Sequence, residues 1–471
     1  MKQAVVVIHG MGEQIPMDTI MSFTEAAWVT DNTLIGAGRP DSSTGKARTS
    51  NAIWFKPDEQ SHSFELRRIA TESVPGHGST HFYEFYWANL MEGTTFEHFG
   101  AWLKDLLLRS PRRVPQGLGW AWCMLWLVTI VAGLAFVLSL IPSEDKAWYW
   151  YVSGGLGSMV LAYLVNTYLL KYFGDVARYV KASPPNVARR QEIREKGVAL
   201  LQGLMGIDPD GSMKASQYDR IVVVAHSLGT IVAYDVLSHC FARLNRKMKP
   251  SQTQPELVAM EEFVRKAVGI DGAQPDEITL ERYREQQSRC LAELREQGSP
   301  WIISDFVTLG SPLSHAEFLM AYDKEDLRKQ QERRVQPTCP PTLEYDATTK
   351  KRHFSYRTED GATAPRTPHH ASLFAFTKWT NIYSPHRAIL WGDIISGRLG
   401  GQFDLTVENK SFSGIDDIVV LPEPSPAKKG VWPPFFTHTK YWAFPPNWKV
   451  GDVVPYHIGV LRNALNLKRQ P

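Results

Sequence analysis

"IVVVAHSLGT", residues 221–230, runs from β-branched residues straight into His226 and Ser227, with Gly229 close behind. An apolar run of this kind is expected of a central strand in a parallel sheet buried on both faces. The next ten residues, IVAYDVLSHC, read as a helix. The stretch therefore predicts a strand, a tight turn at the serine and a helix. Strand and helix can approach so closely only if the residues two before and two after the serine are tiny, and Ala225 and Gly229 are. Such a turn exposes the Ser227 hydroxyl and aims the following N–H, that of Leu228, into the same space. A serine hydroxyl is a weak nucleophile until a base takes its proton and fixed donors hold the oxyanion that forms. The plainer alternative is a serine that caps an ordinary helix.

Working outward, further strands are expected at residues 4–8 (AVVVI), 82–86, 306–309 and 381–383, with helices over 187–204 and 231–245. Strands alternating with helices give an α/β fold class. Residues 36–50 and 422–434 are turn-rich loops. The segment GAGRPDSSTGKA lacks the spacing of a phosphate loop, and residues 323–334 (DKEDLRKQQERR) read as a solvated helix face.

With 471 residues and 43% apolar content, the chain can bury a large core. Lys and Arg number 52 against 49 Asp and Glu, so net charge gives no case for nucleic acid as a partner. The four cysteines, Cys123, Cys240, Cys290 and Cys339, form no CxxC pair and read as free thiols. The N-terminal MKQAVVVIHG reads as a first strand, without the small-residue cleavage site of a signal peptide.

Between Arg113 and Glu144 no residue is charged, and residues 118–141 are long enough to cross a hydrocarbon core of about 30 Å. A second uncharged stretch, 147–170, follows the polar turn PSEDK. Trp148, Tyr149, Trp150 and Tyr151 beside that turn suit a membrane interface. The expectation is a two-pass transmembrane hairpin over residues 114–171, the alternative being a hairpin buried in a soluble core. Arg109, Arg112 and Arg113 before it and Lys171, Arg178 and Lys181 after it put both termini in the cytoplasm. Residues 1–113 and 172–471 then form the two parts of one globular domain.

IVVVAHSLGT resembles the nucleophile elbow of the α/β-hydrolase superfamily, in its lipase-like branch, with Ala225 where the GxSxG pattern has glycine. VVVIHGMGEQ resembles the oxyanion loop of that branch, which implies the backbone N–H groups of Met11 and Leu228 as the two oxyanion donors and leaves His9 structural. FVTLGSPLSHAEFL, residues 306–319, resembles the strand and turn after the elbow in lipases and in inositol-deacylase-like relatives. Residues 46–78 match no part of that pattern.

The resemblance implies a triad in the order serine, acid, histidine. In KWTNIYSPHRAILWGDIISG, Arg387 occupies one position where related hydrolases place the acid, so Asp393 in GDIISG is the better match and Asp404 the reserve. FFTHTKYW is similar to the H-x-x-YW loop that carries the base, which implies His438, with His457 as rival. His226 lies on the wrong side of the turn to act as base and is expected to pack or to face substrate. These residues imply a serine hydrolase without metal or organic cofactor, and tethering to a bilayer directs it toward lipid acyl esters. A thioesterase, amidase or peptidase on the same fold, or a non-catalytic membrane scaffold, stays open.

Overall fold

The computed structural model describes residues 2–10, 15–34, 40, 44–61, 63–73, 78–91, scattered positions from 108 to 130, 179–180, 184–246, 250–270, 278–357, 364–387, 391–422 and 436–468. The hairpin expected over 114–171 lies almost wholly outside them. Among the described residues no helix is long and apolar enough to cross a membrane.

The expected α/β arrangement is present as an eight-stranded sheet. Its strands are β1 (Lys2–Ile8), β2 (Ile53–Pro57), β3 (Arg67–Thr71), β4 (Ser79–Phe85), β5 (Arg220–His226), β6 (Ile303–Leu309), β7 (Lys378–Tyr383) and β8 (Ile415–Val419). In space they run β8-β7-β6-β5-β1-β4-β3-β2. From β8 to β4 every pairing is parallel, while β2 and β3 add an antiparallel edge. The two flanks of the inserted segment thus share one sheet, joined where β1 pairs with β5.

Alternation along the strands divides the core in two. Val6, Ile8, Val223, Ala225, Phe306 and Trp379 face one side, under α2 (Pro184–Leu204), α3 (Gly229–Asn245), α4 (Pro255–Ala267) and α5 (Leu280–Glu296). Val5, Val7, Val222, Val224, Val307 and Ile382 face the other, with Ile20 and Phe23 of α1 (Asp18–Thr24) and Leu461 and Leu465 of α6 (Tyr456–Leu465). With both faces covered, the central strands read as unbroken apolar runs instead of alternating ones. β1 connects onward to the β4 side and β5 to the β6 side. The crevice between their C-terminal ends is therefore the switch point of the sheet, where ligands bind in open α/β folds.

Candidate active site

At that switch point β5 ends in His226 and the chain turns at Ser227. The serine adopts φ +53°, a left-handed conformation uncommon for a residue with a side chain. Its N–H still bonds Leu309 O at 3.0 Å, so the turn begins while the strand pairing continues. α3 starts at once: Thr230 N–H donates to Ser227 O at 2.9 Å and Ile231 N–H to Leu228 O at 3.0 Å. A Cβ on Gly229 would lie 2.2 Å from His9 O and 2.8 Å from Ile8 O, so only glycine lets α3 pass this close to β1. Leu228 is the N-cap of α3, so its N–H lies at the positive end of the helix dipole.

His438 Nε2 is 2.8 Å from Ser227 Oγ, and His438 Nδ1 is 2.9 Å from Asp393 Oδ2. The three groups therefore form one hydrogen-bonded chain of hydroxyl, imidazole and carboxylate. Ser227, His438 and Asp393 are 2%, 4% and 1% exposed, and shielding from bulk water strengthens each of these bonds. Asp404 is not a partner of His438; it stands just before the small hairpin formed by Leu405–Val407 and Lys410–Phe412. His457 belongs to α6, where its Nε2 bonds Ala443 O at 2.9 Å. Met11 lies outside the described residues. A Cβ on its neighbour Gly10 would stand 2.9 Å from Ser227 Cβ, so the chain after β1 does pass against Ser227.

The carboxylate is held by more than the histidine. Asp393 Oδ1 accepts the Ile395 N–H at 2.9 Å, and Oδ2 accepts the Tyr441 hydroxyl at 2.7 Å. Tyr441 O also accepts the Ser384 N–H at 3.0 Å and lies 2.9 Å from Ser396 Oγ. Burial by itself pushes the Asp393 carboxyl up, but His438 and the Tyr441 and Ser396 hydroxyls outweigh it and hold the pKa down at about 2. Tyr441 is the third residue after His438 and stands in the quoted late loop, but its bond to Asp393 is visible only in three dimensions. Thr437 N–H to Gly392 O, at 3.1 Å, ties the histidine loop to the acid loop. Gly310, after β6, closes the site at φ +58°. A Cβ there would meet Tyr441 Cε2 at 2.6 Å and Asp393 Oδ2 at 3.2 Å.

Two further histidines, His226 and His9, flank the site. Burial, and then the charge of His438, lowers His226 to about 3, so its ring is neutral and Nε2–H donates to His438 O at 2.7 Å. His226 thus steadies the backbone of the base residue, a role its sequence position did not disclose. Burial lowers His9 to about 4. Its Nε2 accepts the Trp87 N–H at 3.1 Å, which leaves Nδ1–H to donate to Gly10 O at 2.7 Å and pins the end of β1.

Compared with family models, curated proteins and solved structures, the chain matches none.

Proposed function

We propose that the chain is a serine hydrolase of the α/β-hydrolase superfamily that cleaves an acyl ester, with Ser227 as nucleophile, His438 as base and Asp393 as the orienting acid. The observation that carries this reading is the unbroken Ser227–His438–Asp393 hydrogen-bond chain at the switch point of the sheet. His438 takes the hydroxyl proton as Ser227 attacks the carbonyl, then returns it to the leaving group. Asp393 keeps the Nδ1–H tautomer and stabilises the imidazolium. The Leu228 N–H, with that of Met11, receives the oxyanion. Water then releases the acyl group by the same route in reverse.

The substrate reading rests on location. Residues 114–171 form a membrane hairpin, both termini lie in the cytoplasm, and the hydrolase domain works on lipid acyl esters at the inner leaflet. Pairing of β1 with β5 supports this topology in one respect: the flanks must lie on one side, so any crossing between them comes in even number.

A serine-directed fluorophosphonate probe tests the chemistry on the full-length chain. It is expected to label the wild type in detergent or in vesicles and to spare Ser227→Ala. Absence of labelling from the wild type under both conditions overturns the hydrolase reading and favours a scaffold. If labelling occurs, phospholipid or acylglycerol turnover supports the lipid substrate. Turnover of a short acyl thioester or peptide with lipids left intact replaces it.

A further inference from the structure

At the far end of α3 from Ser227 lies a cleft that the triad does not use. α3 is 17 residues long. At 1.5 Å per residue its last turn is about 25 Å from the serine. The cleft has a volume of about 730 Å³, within the range of small-molecule sites. His239, Arg243 and Arg246 stand at i, i+4 and i+7 on one face of α3 and line one wall. Arg334, Tyr356 and His370 also line it.

Asp208 and Asp210 line the cleft as well. Asp208 pairs with Lys214 at 2.6 Å, Asp210 accepts the Ser212 N–H at 2.8 Å, and Glu344 is taken by Arg334. Among the described residues neither Arg243 nor Arg246 has a carboxylate partner. Like charges three positions apart on a helix repel, and an anion between them would relieve that repulsion. Cations in a last helical turn also complement the helix dipole, but that effect calls for no concave partner surface. Guanidinium groups match phosphate oxygens through paired N–H donors, and the volume leaves room beyond the phosphate itself, with the half-exposed Tyr356 ring beside it.

We propose that this cleft binds a phosphate-bearing ligand, held chiefly by the guanidinium groups of Arg243 and Arg246. The phosphate could be supplied by a soluble small molecule or by a phospholipid headgroup, and the test separates the two. The full-length chain in maltoside detergent, which carries no phosphate, is titrated calorimetrically with inorganic pyrophosphate. Co-sedimentation is measured in parallel with phosphatidylcholine vesicles with and without phosphatidic acid. The expected result is saturable binding of at least one probe, weakened about tenfold or more in R243S/R246S and less in R243K/R246K, which keeps the charge but loses the fork. Pyrophosphate binding assigns a soluble ligand; a phosphatidic-acid-dependent gain alone assigns a headgroup. Both arginines are exposed, so the double variants should keep wild-type thermal midpoints. Absence of binding of either probe to the wild type, or binding unchanged in R243S/R246S, overturns the proposal whatever the triad does.

Discussion

Replacing Tyr441 with phenylalanine removes one buried oxygen from the triad and leaves the ring packing in place. That oxygen donates to Asp393 Oδ2 at 2.7 Å and accepts the Ser384 N–H at 3.0 Å. A hydrogen bond to a charged group contributes about 1.5–3 kcal/mol, and a buried donor left unpaired costs about 1–3 kcal/mol, so Y441F should be less stable by about 2.5–6 kcal/mol near neutral pH. The carboxylate part carries a pH signature. Asp393 is lowered from 3.8 to about 2, so its contribution is complete above pH 3.8 and is lost as pH falls toward 2. At 1.36 kcal/mol per pH unit that contribution is about 2 kcal/mol, and Tyr441 supplies part of it. The gap between wild type and variant should therefore narrow in acid. Urea unfolding followed by tryptophan fluorescence, on wild type, Y441F, D393N and the double variant, isolates the pair as a coupling of about 1.5–3 kcal/mol. Labelling by the fluorophosphonate should slow by at most about 10- to 100-fold, the rate equivalent of one such bond. A coupling under about 0.5 kcal/mol, or a stability gap that does not change with pH, would refute the placement of this hydroxyl on the carboxylate.

Three other substitutions probe the same region. Asp393→Asn should cut fluorophosphonate labelling by about a thousandfold or more while Asp404→Asn behaves like wild type; the reverse pattern moves the acid to Asp404. Gly310→Ala forces a Cβ to 2.6 Å from Tyr441 Cε2 at φ +58°, so it should cost about 1–3 kcal/mol and slow labelling, and unchanged thermal midpoint and rate would contradict the packing. Glu84 is buried on β4, where its Oε2 accepts the Met17 N–H at 2.8 Å while Oε1 has no partner among the described residues. Burial raises it from 4.5 to about 7. A raised carboxyl costs stability as pH climbs from its unfolded toward its folded value, here about 3 kcal/mol, so Glu84→Gln should flatten the stability profile above pH 4.5. Parallel pH profiles for the two proteins would count against it.

The parts of this chain that were legible from sequence are those whose signal is local. β1 and β5 are runs that only a twice-covered strand tolerates, and Ala225, Ser227 and Gly229 sit at spacings that a single sharp turn dictates. The strand ends drifted by a few residues, as with β4, expected from Phe82 and found from Ser79. β2 was missed because it is a half-exposed edge strand, with Trp54 and Phe55 each about half accessible, and β3 because only three of its residues, Ile69, Ala70 and Thr71, are buried behind two arginines. β8 was hidden by Asp416 and Asp417. Asp417 is accounted for only in three dimensions, where its Oδ1 accepts the Leu399 N–H at 2.9 Å and its Oδ2 the Gly400 N–H at 2.9 Å. In the site, Asp393 and His438 were found by order along the chain, whereas the roles of Tyr441 and His226 depend on contacts 48 and 212 residues away in sequence.

The place of the long inserted segment follows from what the triad needs. Ser227, Asp393 and His438 all come after it in sequence. The first flank supplies the wall: the carbonyls of Ile8 and His9 are the surface on which Gly229 packs, and Glu84 and Trp87 anchor the chain on either side of that wall. The rings of Trp87 and Tyr179 lie 6.4 Å apart between centroids, so the described residues just before 92 and just after 178 stand close together. Closing a loop between neighbouring points costs entropy only as the logarithm of its length, so the segment can be long without straining the site. Separating the flanks is another matter. β1 lies between β4 and β5 in the middle of the sheet, and its loss would remove the Ile8 and His9 carbonyls against which Gly229 packs. The described flanks therefore belong to one folding unit, joined where β1 pairs with β5.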